Sequence, residues 1–176
     1  MKRYINLSIV CLSVVIFACQ SQTSPSAEKE TIRNEITSFL NEFYSTYKSG
    51  DFEALADKLS EKSLFMGTDS KEVWNKSEML AMLQKKHENS NDNFTYKITT
   101  RIIRISEDQN SVLVIEQLED TPVFGENLPV RVTTQLQRQQ NEWQVNFISW
   151  SIIPDNKDLF KFIDFLSKTP KEPDTK

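Results

Sequence analysis

Histidine and cysteine are nearly absent: the 176 residues hold one His and two Cys. That leaves too few ligands for a protein-held zinc or iron site. With three Gly in the whole chain there is no glycine-rich phosphate loop, and neither an HExxH helix, a CxxC pair nor a serine nucleophile elbow occurs. No long Lys/Arg cluster is present and the formal charge is −4, which excludes broad nucleic-acid binding, since that affinity comes from neutralising phosphates with a basic surface. No cofactor is expected. What remains is 38% apolar and 10% aromatic residues with 26% charged, enough for one compact domain with short appendages.

The N-terminus reads as an address. Met1-Lys2-Arg3 is basic, and Tyr4 to Ala18 is a mostly apolar run, shorter than the roughly 20 residues a transmembrane helix needs; this is the layout of a signal peptide over residues 1–18. The following Ile16-Phe17-Ala18-Cys19, with Ser, Gln, Thr and Pro beyond it, resembles the lipobox of bacterial lipoproteins. That resemblance implies that Cys19 is the lipid attachment site and membrane partner. Cys11 leaves with the signal, so the mature chain keeps no free thiol and no disulfide. Of the 21 basic residues, Lys2 and Arg3 are lost, leaving 19 against 25 acidic and a net charge of −6; the lipid, not charge, must do the anchoring. Residues 19–27 are polar and read as a flexible tether. Gln20 in place of Asp, with no acidic cluster after Cys19, points to the outer membrane, facing the periplasm.

Further on, Ile32, Ile36, Phe39, Leu40, Phe43, Tyr44 and Tyr47 fall at helical spacing, predicting a helix over 28–49 with one broad apolar stripe. Gly50 stops it and Asp51 caps a short second helix with Phe52, Leu55, Ala56 and Leu59 inward. Leu64 to Gly67 predicts a short strand, Thr68-Asp69-Ser70 a turn, and Ser77 the cap of a third helix to about Glu88. Beyond Asn93 the period becomes 2. Four strands, Phe94 to Ile105, Ser111 to Leu118, Val130 to Gln139 and Trp143 to Ile152, are joined by turns at Glu107 to Asn110 and Gln140 to Glu142. Helices first and an antiparallel sheet after give an α+β plan. Residues 155–168, rich in Leu and Phe, predict a helix packed on the sheet or on another subunit, and 169–176 a loose tail.

Four stretches carry a family likeness over roughly residues 28–154: Phe43 to Phe52 with its Gly-Asp, Leu64-Phe65-Met66-Gly67-Thr68-Asp69 with Glu72 and Trp74, Leu128 to Thr133, and Trp143 to Ser151. They resemble the SnoaL-like branch of the nuclear transport factor 2-like superfamily. The resemblance implies a cone-shaped barrel in which N-terminal helices cover a curved antiparallel sheet. It also implies frequent pairing through the outer face of the sheet, and a pocket between the first helix and the sheet. It implies no single activity, because the fold hosts isomerases, dehydratases, cyclases and binding domains. Enzymatic relatives carry a general-base Asp where this chain has Phe65-Met66-Gly67, and others carry His where it has Phe147 and Ser149. His87 sits in a polar helix end and reads as a solvated residue.

The candidate ligand-binding residues are Tyr44, Tyr47, Met66, Asp69, Trp74, Glu116, Arg131 and Trp143; no residue is assigned a catalytic role. Asp69 and Glu72 flank a turn and can face a pocket mouth, or Asp69 can cap backbone N–H groups. Glu116 alternates with Val112 and Val114, which places a carboxylate among apolar residues, unless it faces water or pairs with Arg131. Arg131 offers a planar fork to an acidic ligand or to Glu116 or Glu119. The aromatics suit a pocket lining and a core equally. Three functions follow as expectations. One is a lipid-anchored extracytoplasmic domain binding a small, partly apolar molecule without catalysis. The second is an acid-base isomerase or dehydratase using Asp69 or Glu116 with Tyr44 as hydrogen-bond donor, and the third an envelope interaction module. A homodimer is expected from the apolar positions Ile103, Leu113, Ile115, Ile148, Trp150 and Ile152, read as the outer face of the sheet.

Overall fold

The predicted stripe becomes helix α1 (Pro25–Ser49), whose Ile32, Ile36, Leu40 and Tyr44 are buried. The computed structural model describes residues 25–89, 96–119 and 128–168; the expected signal segment, the expected lipid site Cys19 and the expected tail lie outside them. Helix α1 starts earlier than expected, because Pro25 to Ala27, assigned above to the tether, form its first turn. Proline suits that place, where its missing N–H would have had no partner. Gly50 ends the helix at φ +73°, the left-handed conformation that glycine adopts without strain. Asp51 then accepts a hydrogen bond from the Ala54 amide at 3.0 Å and caps α2 (Phe52–Asp57).

Two strands follow where one was expected. β1 (Leu59–Met66) pairs antiparallel with the short β2 (Val73–Asn75) and parallel with the last strand, so the sheet is mixed and not wholly antiparallel. Helix α3 (Lys76–Asn89) is capped by Asn75, not Ser77: the Asn75 Oδ1 accepts the Glu78 amide at 3.0 Å while Glu78 accepts the Asn75 amide at 2.9 Å, a reciprocal capping box. Strands β3 (Lys97–Ile105), β4 (Ser111–Glu119), β5 (Val130–Gln139) and β6 (Glu142–Ile152) form an antiparallel meander. The six-stranded order is β2-β1-β6-β5-β4-β3. The sheet is curved and open, with α1 across its inner face.

In-register rows define that face. Trp74, Phe65, Ile148, Thr134, Val114 and Ile103 run across the six strands, and Trp150, Val132, Glu116 and Arg101 form the next row. Ile103, Ile148 and Trp150 therefore point toward the helices, against the expectation that they lie outside. Ile152 stands opposite Val130 of the inner set. Leu113 and Ile115 do face outward, where Leu64, Met66, Val73 and Ile102 join them. For Ile148 and Trp150 the cause is a bulge in β6: pairing slips between Gln135 and Leu136, and one extra residue sends the later side chains of that strand to the other face. β3 has its own slip between Ile98 and Thr100, and Ile103 lies beyond it.

Helix α4 (Asn156–Lys168) leaves the end of β6 with none of its residues buried. The expected packing of this helix on its own sheet does not occur. Leu159, Phe162, Ile163 and Leu166 lie on one side of it and are all exposed.

Candidate functional site

Helices α1 and α3 are held apart by β1, β2 and β6, and a half-enclosed cavity of about 370 Å³ lies between them. Its walls come mainly from three places, with Leu55 of α2 closing the floor between them. Phe43, Tyr44 and Tyr47 line it from the last turns of α1; Phe65, Trp74, Ile148 and Trp150 from the sheet; and Met79, Met82, Leu83 and Lys86 from α3. The α3 set is spaced 3, 1 and 3, one continuous helical face. Gly67, Thr68 and Glu72 of the β1–β2 turn complete the rim. An apolar concavity with a few polar groups at its edge is the usual form of a small-molecule site.

The turn is organised around Glu72. Its carboxylate accepts the Asp69 amide at 3.0 Å, its carbonyl accepts the Gly67 amide at 2.9 Å, and its own amide donates to the Asp69 carbonyl at 3.0 Å. Gly67 is required by close approach, since a Cβ there would fall 2.7 Å from the Glu72 Cβ. Asp69 takes the capping role foreseen for it: its Oδ1 accepts the Lys71 amide at 2.8 Å. It is exposed and outside the cavity wall, and Glu72 stands at the rim in its place.

Behind the wall is a buried polar array. Glu116 is completely enclosed. The Tyr44 hydroxyl donates to its Oε2 at 2.5 Å, and the Arg101 Nε donates to its Oε1 at 2.7 Å. The Arg101 Nη2 lies 2.7 Å from the same Oε1 but too far off line to make a second hydrogen bond. Burial, and next the Glu116 charge, raise the Tyr44 hydroxyl well above the usual phenol range. Burial likewise raises Tyr47, and burial with the Glu116 charge raises Tyr96, whose ring lies 4.9 Å from that of Tyr44. Chemically the array is a neutralised ion pair with a phenol as its link to the cavity.

Of the eight candidates, Tyr44, Tyr47 and Trp74 line the cavity. Glu116 reaches it only through Tyr44. Met66 is an exposed residue of the outer face. Arg131 is exposed opposite Gln117 and Ser151; Val132, its neighbour, is the residue that faces Glu116, so Arg131 and Glu116 are on opposite sides of the sheet and cannot pair. Trp143 is buried at the far end of α1, where its Nε1 donates to Glu35 at 3.1 Å and Arg138 stacks 4.5 Å from its ring. Glu72, expected beside Asp69 at a pocket mouth, does line the cavity; Arg101, Trp150 and the α3 face are not among the candidates. Among the described residues no group of three His, Cys, Asp or Glu could hold a metal ion, and no helix is long and apolar enough to cross a membrane.

An open curved sheet wrapped on a long helix, with a cavity at one end, is the nuclear transport factor 2-like architecture. The profile described as SnoaL-like domain matches residues 36–155, and the chain belongs to that family. Among solved structures it is similar to a nuclear transport factor 2-like protein of unknown function from Pseudomonas putida, at 15% identity and TM-score 0.59, covering 70% of this chain and 88% of that one. It is also similar to a nuclear transport factor 2-like protein from Cytophaga hutchinsonii, at 19% identity and TM-score 0.57, covering 69% and 98%. A domain of unknown function with a cystatin-like fold from Nostoc punctiforme gives 14% identity and TM-score 0.62, covering 79% and 88%. These likenesses show the fold alone. No curated protein matches the sequence.

Proposed function

We propose that this SnoaL-like domain binds a small, partly apolar molecule in the cavity between α1 and α3 without transforming it, held at the outer membrane by a lipid on Cys19 and facing the periplasm. The observation that carries the binding reading is the cavity itself: about 370 Å³, walled mainly by aromatic, leucine and methionine side chains, with few polar residues among its lining. The two carboxylates considered as general bases support binding over catalysis. Both Glu116 oxygens are engaged, one by Tyr44 and one by Arg101, and Asp69 is committed to its turn outside the wall. A base must reach the proton it abstracts, and neither is free to do so. The anchoring rests on the signal-like N-terminus and the lipobox resemblance.

Thermal shift with a library of small apolar molecules, followed by mass spectrometry of each ligand found, tests the reading. A saturable rise in Tm with the compound recovered intact is expected, and abolished by filling the cavity with Leu83→Trp. Conversion of a bound compound would replace this reading with the acid-base enzyme. Cys19→Ser is expected to move the protein out of the membrane fraction; retention at the wild-type level would end the lipoprotein assignment.

A further inference from the structure

The rim of the cavity carries two ionisable groups, Glu72 and Lys86, and they are built differently. Glu72 is half-buried and pinned: one carboxylate oxygen takes the Asp69 amide, and the residue's backbone is tied at both ends within the turn. No cation stands within ion-pairing distance among the described residues, and the second oxygen has no partner there. Lys86 is exposed in the last turn of α3, on a flexible stem whose ammonium can stay in water whatever the cavity holds. The walls behind Glu72 are aromatic: Phe43, Tyr47, Trp74 and Trp150. Ring faces attract a cation, more strongly once it leaves water. A carboxylate fixed on an apolar rim repels an anion and lowers the free energy of a bound cation.

Resting on the binding reading above, we propose that the cavity selects an organic cation: an ammonium group on an apolar or aromatic body, with the body against the aromatic wall and the ammonium at Glu72. Lys86 takes no part in holding the charge.

Three probes with one body and different heads separate the possibilities: phenylbutylammonium, phenylbutanol and phenylbutanoate, titrated into the full chain with the fluorescence of Trp74 and Trp150 as the signal. The ammonium compound is expected to bind about tenfold more tightly than the alcohol, with the carboxylate weakest. Glu72→Gln, which keeps an oxygen for the Asp69 amide, is expected to lower the ammonium-to-alcohol ratio severalfold, leaving only what the rings contribute, while Lys86→Gln keeps the ranking. Tightest binding of the carboxylate, lost in Lys86→Gln, would overturn the proposal in favour of an acid held by Lys86. Equal binding of all three would overturn charge selection but leave the binding site standing. Binding of none would remove both.

Discussion

At Glu116 a full carboxylate sits where the alternating pattern of β4 asks for an apolar side chain. A buried charge costs several kcal/mol unless a partner and hydrogen bonds offset it, and Arg101 and Tyr44 supply both. Arg101→Ala leaves that charge alone in the core, and a loss of about 3–5 kcal/mol is expected, read as a shifted urea midpoint. Replacing the pair together, Arg101→Met with Glu116→Leu, is expected to recover most of it, because two packed apolar groups need no partner. The tyrosines give a pH dependence of definite sign. Their folded pKa values lie above the usual phenol value near 10, so the stability is unaffected below that pH. It falls as the pH rises through that value, where the unfolded phenols ionise and the folded ones do not. For Tyr44 the slope is about 1.4 kcal/mol per pH unit in that window, and Tyr44→Phe is expected to remove it from an alkaline denaturation series.

Between residues and fold stand the caps and registers. The Asn75 and Glu78 box fixes where α3 begins, and α3 in turn presents Met79, Met82, Leu83 and Lys86 to the cavity. Asn75→Ala is expected to cost about 1 kcal/mol, measurable by thermal unfolding. How much was readable from sequence differs by element for physical reasons. Helix α1 was plain because seven apolar residues share a 3.6 period, and Asp51 as a cap because it follows a helix-ending glycine. The partner of Glu116 was legible too: counting outward in step from the turn at Glu107 to Asn110 brings Arg101 opposite Glu116, as observed. The pairing expected with Arg131 fails because β4 ends at Glu119 and β5 starts at Val130, and no short turn between them sets the register. The inner face of β6 was not legible. Both of its alternating sets are apolar, and the bulge that exchanges them arises from packing, which local pattern does not encode. β2 escaped notice since three residues carry no period. The site shares that ambiguity: Trp150 follows the outward set of its strand until the bulge is known, and Asp69 and Glu72, on one turn, are not separable by spacing.

At the scale of the whole molecule, the described residues leave one surface of the sheet uncovered. On the outer face, in-register rows run Val73, Met66, Ser149, Thr133, Ile115, Ile102 and Asn75, Leu64, Phe147, Gln135, Leu113, Arg104; the first is apolar toward both edges with Ser149 and Thr133 between, and the second adds Leu64, Phe147 and Leu113. Leu64, Met66, Val73, Ile102 and Leu113 are each more than a third exposed, and two apolar patches on one face of a sheet are more than a soluble monomer usually leaves to water. Helix α4 does not cover it, since none of its own residues is buried; a second copy of the chain can. A two-fold pair presents the same patch from both sides, and here the apolar edges of one sheet can meet those of the other across the polar middle. We expect a homodimer. Multi-angle light scattering on the protein should give twice the chain mass, and Leu113→Glu, which sets a charge in the face without touching the cavity, should give the chain mass with the fold intact by circular dichroism. Truncation after Asp155 then separates the two surfaces: a dimer that survives loss of α4 rests on the sheet, and one that dissociates rests on the helix. A wild-type mass equal to one chain at every concentration would refute the pairing altogether.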